Sequence, residues 1–179
     1  MLTDHLEKKY PGLTLAGLAE LLGGQIWQHY KGWCRTNKRT GCGHRFNLQR
    51  FGRERWNEYP ELGSAYKAAV VRDMALWLDA YLEEERGTGP GSDLRCFCAH
   101  ALASFQRSCD ESPQFFTKSV ASRTSGYLKT FLQMYQRLAL QDRERVDGRR
   151  NYKVVPKFHS LLHLGDYIEE TLRNPRFLA

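Results

Sequence analysis

Every long apolar pattern in this chain of 179 residues repeats near 3.6 positions, and that period confines the fold to packed helices. Leu13, Leu15, Leu18, Leu21, Leu22 and Ile26 follow Pro11-Gly12, with Thr14 placed to cap them, and Gly23-Gly24 interrupts or ends this helix. Ile26, Tyr30 and Trp33 then give a short second run. From Leu62 to Arg86 an alanine-rich stretch with Ala65, Ala69, Met74, Leu76, Trp77, Ala80 and Tyr81 predicts a long helix, closed by Gly87-Thr88-Gly89-Pro90-Gly91. Ser92 caps a helix over Asp93 to Cys109, and Ser112-Pro113 opens another that passes Leu138, with Gly126 as a place to split it. Pro156 starts the last helix, whose face of Phe158, Leu161, Leu162, Leu164, Tyr167, Ile168 and Leu172 stops at Asn174-Pro175. Only Asn151 to Val155 has β character. The expectation is an all-α, irregular bundle of five to seven helices with a basic Cys-, Gly- and Arg-rich loop near the N-terminus. Residues 1–60 form a helical hairpin plus that arm, 61–179 form the helical body, and the two pack as one continuous domain.

A chain that is 41% hydrophobic and 12% aromatic has enough apolar surface to offset its ordering entropy. Its charge is unevenly placed. Lys31, Arg35, Lys38, Arg39, Arg45, Arg50, Arg53 and Arg55 stand against the single acid Glu54, so the segment Lys31 to Arg55 carries the whole net charge of +7. A neutral body with one basic arm attracts polyanions, because each neutralised phosphate releases counterions whatever the base sequence. Tyr30, Trp33, Phe46, Phe51 and Trp56 interleave with these cations and supply planar surfaces for bases. The expected partner is nucleic acid, DNA or RNA, with Arg35, Lys38, Arg39, Arg45, Arg50 and Arg53 on phosphates and Trp33 and Phe51 stacking. The alternative is a solvated loop whose aromatics pin it to the core.

Other constellations are less specific. Leu13 to Trp33 has the outline of a helix-turn-helix, but Gln25, Gln28, His29 and Lys31 of its second helix sit between large apolar residues, so a plain helical hairpin is the better reading. Cys34, Cys42 and His44 in the arm, with Cys96 and His100 one turn apart on a helix, include four residues that could close a tetrahedral zinc site, and their spacing matches no zinc-finger pattern. His159 and His163 are four apart on the last helix and lack the glutamate between them that marks a zinc protease. No nucleophile with base and orienter, no phosphate-cradling glycine loop and no cofactor site is visible, so catalysis is not expected. Five cysteines without a secretory signal read as free thiols or metal ligands in place of a disulfide framework, and reactive free thiols are expected. No apolar run approaches the length of a membrane span, and Met1 to Lys9 mixes acids with bases, so an intracellular protein of nucleus or cytoplasm is expected.

Val155-Pro156-Lys157-Phe158-His159-Ser160-Leu161-Leu162-His163-Leu164, followed by Tyr167-Ile168 and Asn174-Pro175-Arg176, resembles a helical segment near the end of Kyakuja-Dileera-Zisupton-like eukaryotic transposases. Phe46 to Arg53, with Tyr59-Pro60-Glu61-Leu62 and Trp77-Leu78, resembles uncharacterised, element-derived proteins of repeat-rich protist genomes. Transposases of this kind cleave DNA with three carboxylates on an RNase H-like sheet, and this sequence has neither the strands nor the isolated acids. The resemblance therefore implies a non-catalytic, mobile-element-derived helical protein, and the end at Phe177-Leu178-Ala179 reads equally as that of a truncated reading frame or of a misassigned gene boundary. The rival readings are a protein-interaction module whose apolar helix faces belong to a larger partner, and a degenerate transposase or nuclease remnant. The period predicts a far-ultraviolet dichroism spectrum dominated by helix; a sheet-dominated spectrum would overturn the fold assignment.

Overall fold

The structure, a computed structural model, describes residues 1–62, 68–89 and 91–177. Its α-helices are α1 (Leu2–Lys9), α2 (Leu15–Leu21), α3 (Trp27–Thr36), α4 (Ala68–Glu84), α5 (Ser92–Glu111), α6 (Lys118–Arg143) and α7 (Lys157–Thr171). Among the described residues there is no strand, only a single antiparallel bridge between Phe115 and Arg173. The fold is all-α, as the apolar period predicts. Ala65 and Pro90, read as part of a helix and of its breaker, lie outside the described residues.

Neither a helix-turn-helix nor a hairpin forms at Gly23-Gly24. Residues Leu22–Ile26 make a π turn, and the flanking backbone stays helical, so α2 runs through it into α3 without a break. The buried residues explain this. Leu18, Leu22, Ile26, Tyr30 and Cys34 fall at strict intervals of four. In an α-helix each such step drifts about 40° around the axis, and one wide turn takes up the accumulated drift. The five side chains thus stay on one side, and the glycines admit the wide turn while letting the Phe46 carbonyl approach to 3.4 Å from where a Cβ on Gly23 would stand.

Two apolar clusters fill the interior, and α5 lies between them. Cys96 and Ala99 of α5 join Leu6, Leu18, Leu22, Ile26, Tyr30, Phe46, Trp77 and Leu82, while Cys98, Ala101, Phe105 and Cys109 join Leu128, Phe131, Leu138, Tyr152 and Ile168. The first cluster draws on both sides of residue 60, so packing continues across the division expected there. Ser112-Pro113 does not open α6. Gln114 and Phe116 are held in extended backbone by Asn174 and Leu172, and the helix starts instead behind Thr117, whose hydroxyl accepts from Val120 N. Gly126 does not split it.

The sequence reading left Met1 to Lys9 unassigned, yet every residue of α1 from Leu2 to Glu7 is buried. Its two acids reach partners far along the chain. Glu7 Oε1 pairs with Arg53 Nη2 at 3.1 Å and Oε2 with Arg145 Nη1 at 3.1 Å, while Asn151 Nδ2 donates to Oε2 at 3.3 Å. Asp4 Oδ2 accepts from Tyr152 Oη at 2.9 Å and pairs with Arg95 Nη1 at 3.2 Å. Burial raises the Asp4 carboxyl, but Lys8 and Arg95 outweigh it and hold the group below the usual carboxylate range.

His5, 1% exposed, is pushed down to about 4, first by burial and then by Arg95. It is neutral when folded and takes a proton near its ordinary value when unfolded. The unfolded state therefore binds more protons between about pH 6.5 and 4, and stability is lost as the pH falls through that window, by about 3 kcal/mol at its lower end. Urea unfolding at pH 7 and pH 4.5 should show this loss, and His5→Gln should flatten it.

Candidate nucleic-acid interface

The basic arm begins inside α3, not after it. Arg35 is helical, Asn37 Nδ2 donates to the Trp33 carbonyl at 2.9 Å, and Lys38 turns the chain at φ 53° so that Arg39 N reaches the Cys34 carbonyl at 2.8 Å. This closes the helix with a left-handed residue and places cations at its negative end. The arm is then fastened to the body at intervals. Cys42 N donates to Tyr30 Oη at 3.0 Å, and Gly41 sits so close that a Cβ there would stand 2.6 Å from Cys34 Sγ. Phe46 meets the rings of Trp27, Tyr30 and Phe51 at 5.0 to 5.1 Å. Residues Gln49–Phe51 form one 3₁₀ turn, and Gly52, at φ 56°, crosses the Glu61 backbone where a Cβ would meet N and O at 2.7 Å.

These fastenings sort the expected contact residues into two groups. Phe51 is 7% exposed inside the aromatic cluster, so its face does not reach a base. Arg53 is fully buried: besides Glu7 it donates to Asn151 Oδ1 and to the carbonyls of Trp56, Glu58 and Arg150. Both are corrections, and the cause is the same. A side chain of either kind in a basic loop has the composition of a surface, and only the fold shows that these two point inward. Arg39 is half-buried and pairs with Asp73 at 3.5 Å, and Arg55 pairs with Glu58 at 3.3 Å. Trp33 packs one side against the first apolar cluster.

Five cations of the segment form no ion pair among the described residues: Lys31, Arg35, Lys38, Arg45 and Arg50. Arg35, Lys38 and Arg45 are exposed, Lys31 lies 5.5 Å from the Trp27 ring centre, and Arg50 Nη1 is buried without a hydrogen-bond partner. The fold brings two further cations to the arm, of which Arg149 is itself paired with Glu7 and Asp147 at 3.8 Å. Arg149 lies 4.2 Å over the Trp56 ring, and Arg150 N donates to the Trp56 carbonyl at 2.9 Å. About a hundred residues separate them from the arm, and no local pattern joins them to it.

The zinc candidates are not brought together. Cys42 Sγ bonds the His44 carbonyl at 3.2 Å, Cys96 Sγ bonds the Leu82 carbonyl at 3.0 Å, and His100 Nδ1 lies 3.2 Å from Asp79 Oδ1. Among the described residues no three His, Cys, Asp or Glu side chains gather as a metal site. One constellation escaped the sequence reading: Ser104 Oγ lies 3.3 Å from His100 Nε2, whose ring meets Asp79, itself held at 2.6 Å by Arg107. Ser104 is buried at mid-helix, where its neighbouring backbone donors serve α5, so the geometry orders His100 without presenting a nucleophile beside an oxyanion site.

Compared with protein-family models, with curated proteins and with solved structures, the chain matches none. All five cysteines are free thiols, but all are buried, which corrects the expectation that they are reactive. Burial pushes Cys98 and Cys109 up to about 12 and raises Cys34 and Cys96 as well. The thiolate is the reactive form. Native protein should therefore resist a thiol reagent at neutral pH and release five equivalents on denaturation; rapid labelling of the folded protein would contradict this packing.

Proposed function

We propose that the protein binds nucleic acid through the phosphate backbone, using Lys31, Arg35, Lys38, Arg45 and Arg50. The observation that carries this is the division of the arm's charge. The body neutralises Arg39, Arg53 and Arg55 with acids and leaves these five without one. Cations held on a fastened strap lose less freedom on meeting a polyanion than cations on a solvated loop. Trp33, half-buried against the first apolar cluster, is the one stacking candidate that keeps part of its surface exposed. Contacts of this kind carry no base code, so sequence preference is weak. The interface lies on the arm, apart from the α7 segment that resembles transposases.

A protein-docking reading has one observation in its favour, an apolar groove lined by Leu132, Val154, Val155, Phe158 and Leu162, where Val154 and Leu162 are exposed. Binding of a short duplex and of a single strand over a range of salt separates the two. Five phosphate contacts give a slope of log affinity against log salt of about −4.5 for duplex and about −3.5 for single strands. Replacing the five cations by Gln should abolish most of that slope with helicity unchanged. Arg53→Gln should leave the slope intact and instead lower stability by roughly 3 kcal/mol, since it removes one buried partner of Glu7 together with the bonds to Asn151 and three main-chain carbonyls. A quintuple variant that binds as tightly as the parent at every salt concentration would reduce the arm to a solvated strap and leave the groove as the functional surface.

A further inference from the structure

His159 and His163 stand one turn apart on α7 and are both exposed. Their Nε2 atoms lie 2.9 Å from each other, with ring centres 4.4 Å apart and planes at 80°. Two nitrogens facing at this distance are held in the apo protein by a single N–H···N bond, one ring donating and the other accepting. The same separation is the bite of a cation. With metal–nitrogen bonds of about 2.0 to 2.1 Å, two cis ligands of an octahedral or tetragonal ion lie about 2.9 Å apart, and two ligands of a tetrahedral ion about 3.3 Å apart.

We propose that His159 and His163 chelate one late first-row divalent cation through both Nε2 atoms, the remaining positions being taken by water. As the cation enters, the donor ring moves its proton from Nε2 to Nδ1 through solvent, with no net proton released, so both neutral rings present an Nε2 lone pair. Imidazole pairs select Cu²⁺, Ni²⁺ and Zn²⁺ over Mg²⁺ and Ca²⁺, which prefer oxygen. The nearest acid on the same face, Asp166, is engaged by Lys129 at 3.1 Å, so two imidazoles define the protein's share of the sphere. The chelate also clamps the first turns of α7, because it bridges residues that only the helical conformation brings together. This site is independent of the arm and does not rest on the nucleic-acid reading. It also differs from the set Cys34, Cys42, His44, Cys96 and His100 that the sequence singles out for zinc.

Titration with ZnCl₂, followed by the ring nitrogen resonances of all six histidines, tests the proposal. The expected result is that His159 and His163 shift together, saturate at one equivalent and keep this response while Mg²⁺ gives none. His159→Asn with His163→Asn should weaken Zn²⁺ binding at least tenfold with the far-ultraviolet spectrum unchanged, since both side chains are exposed. The buried thiols are the same in parent and variant, so the difference isolates the pair. Should the two rings shift independently, should other histidines respond first, or should the double variant bind Zn²⁺ as the parent does, the pair is an ordinary hydrogen bond and the site falls.

Discussion

The fold depends on the ion pair between Glu7 and Arg53, both of whose side chains are almost wholly out of water. A lone pair of this sort returns little, because desolvating two charges costs about as much as their attraction gives back. Here the charges are shared more widely. Arg145 and Asn151 also bind the Glu7 carboxylate, and Arg53 donates as well to Asn151 Oδ1 and to three main-chain carbonyls. Through this one guanidinium, α1, the end of the arm and the link between α6 and α7 meet at a point. Removing Glu7 leaves the buried Arg53 guanidinium without an acid, a cost of about 3 to 5 kcal/mol against a total stability of about 5 to 15 kcal/mol, whereas removing Arg53 leaves Glu7 with Arg145 and Asn151. The pair therefore acts as a register, rewarding one placement of α1 and penalising others more than it adds net stability.

The arm follows the same logic at lower cost. Its aromatics and glycines hold it against the helix pair, and its charges divide according to what lies beneath them. Glu7 and Asp73 engage Arg53 and Arg39, and Glu58 pairs with Arg55 at the surface; of the cations without an acid, Arg35, Lys38 and Arg45 are exposed, and Lys31 and Arg50 are half-buried. The resulting field is smaller than the composition implies, five charges instead of eight, and it is held at fixed positions.

The helical character was legible because an apolar period survives whatever partner covers it, and α5 and α7 begin within a residue of their expected caps. α1 was not legible. Leu2 and Leu6 give it a short apolar edge, but its burial depends on Arg53, Arg95, Arg145 and Tyr152, and a sequence window holds only one member of each pair. The glycine pair at Gly23-Gly24 misled for a related reason. Glycine breaks a helix when nothing is gained by continuing, and here a stripe of five buried residues rewards continuation. Within the candidate interface, Arg35, Lys38 and Arg45 were readable from charge alone, whereas Phe51 and Arg53 carry the same residue types inward and Arg149 and Arg150 arrive from a distant loop.

The π turn at Leu22–Ile26 has a geometric bearing on the arm as well as on the core. One residue more or fewer in a helix rotates everything beyond it by about 100° and moves it by about 1.5 Å. Arg35 lies nine residues beyond the turn on the same rod, and Lys38 follows two residues past the rod's end. The heading of the charged surface is thus indexed by a single residue in a segment that carries no charge, and loss of one glycine from Gly23-Gly24 would point the strap toward a different quarter of the molecule without altering any residue of the strap itself.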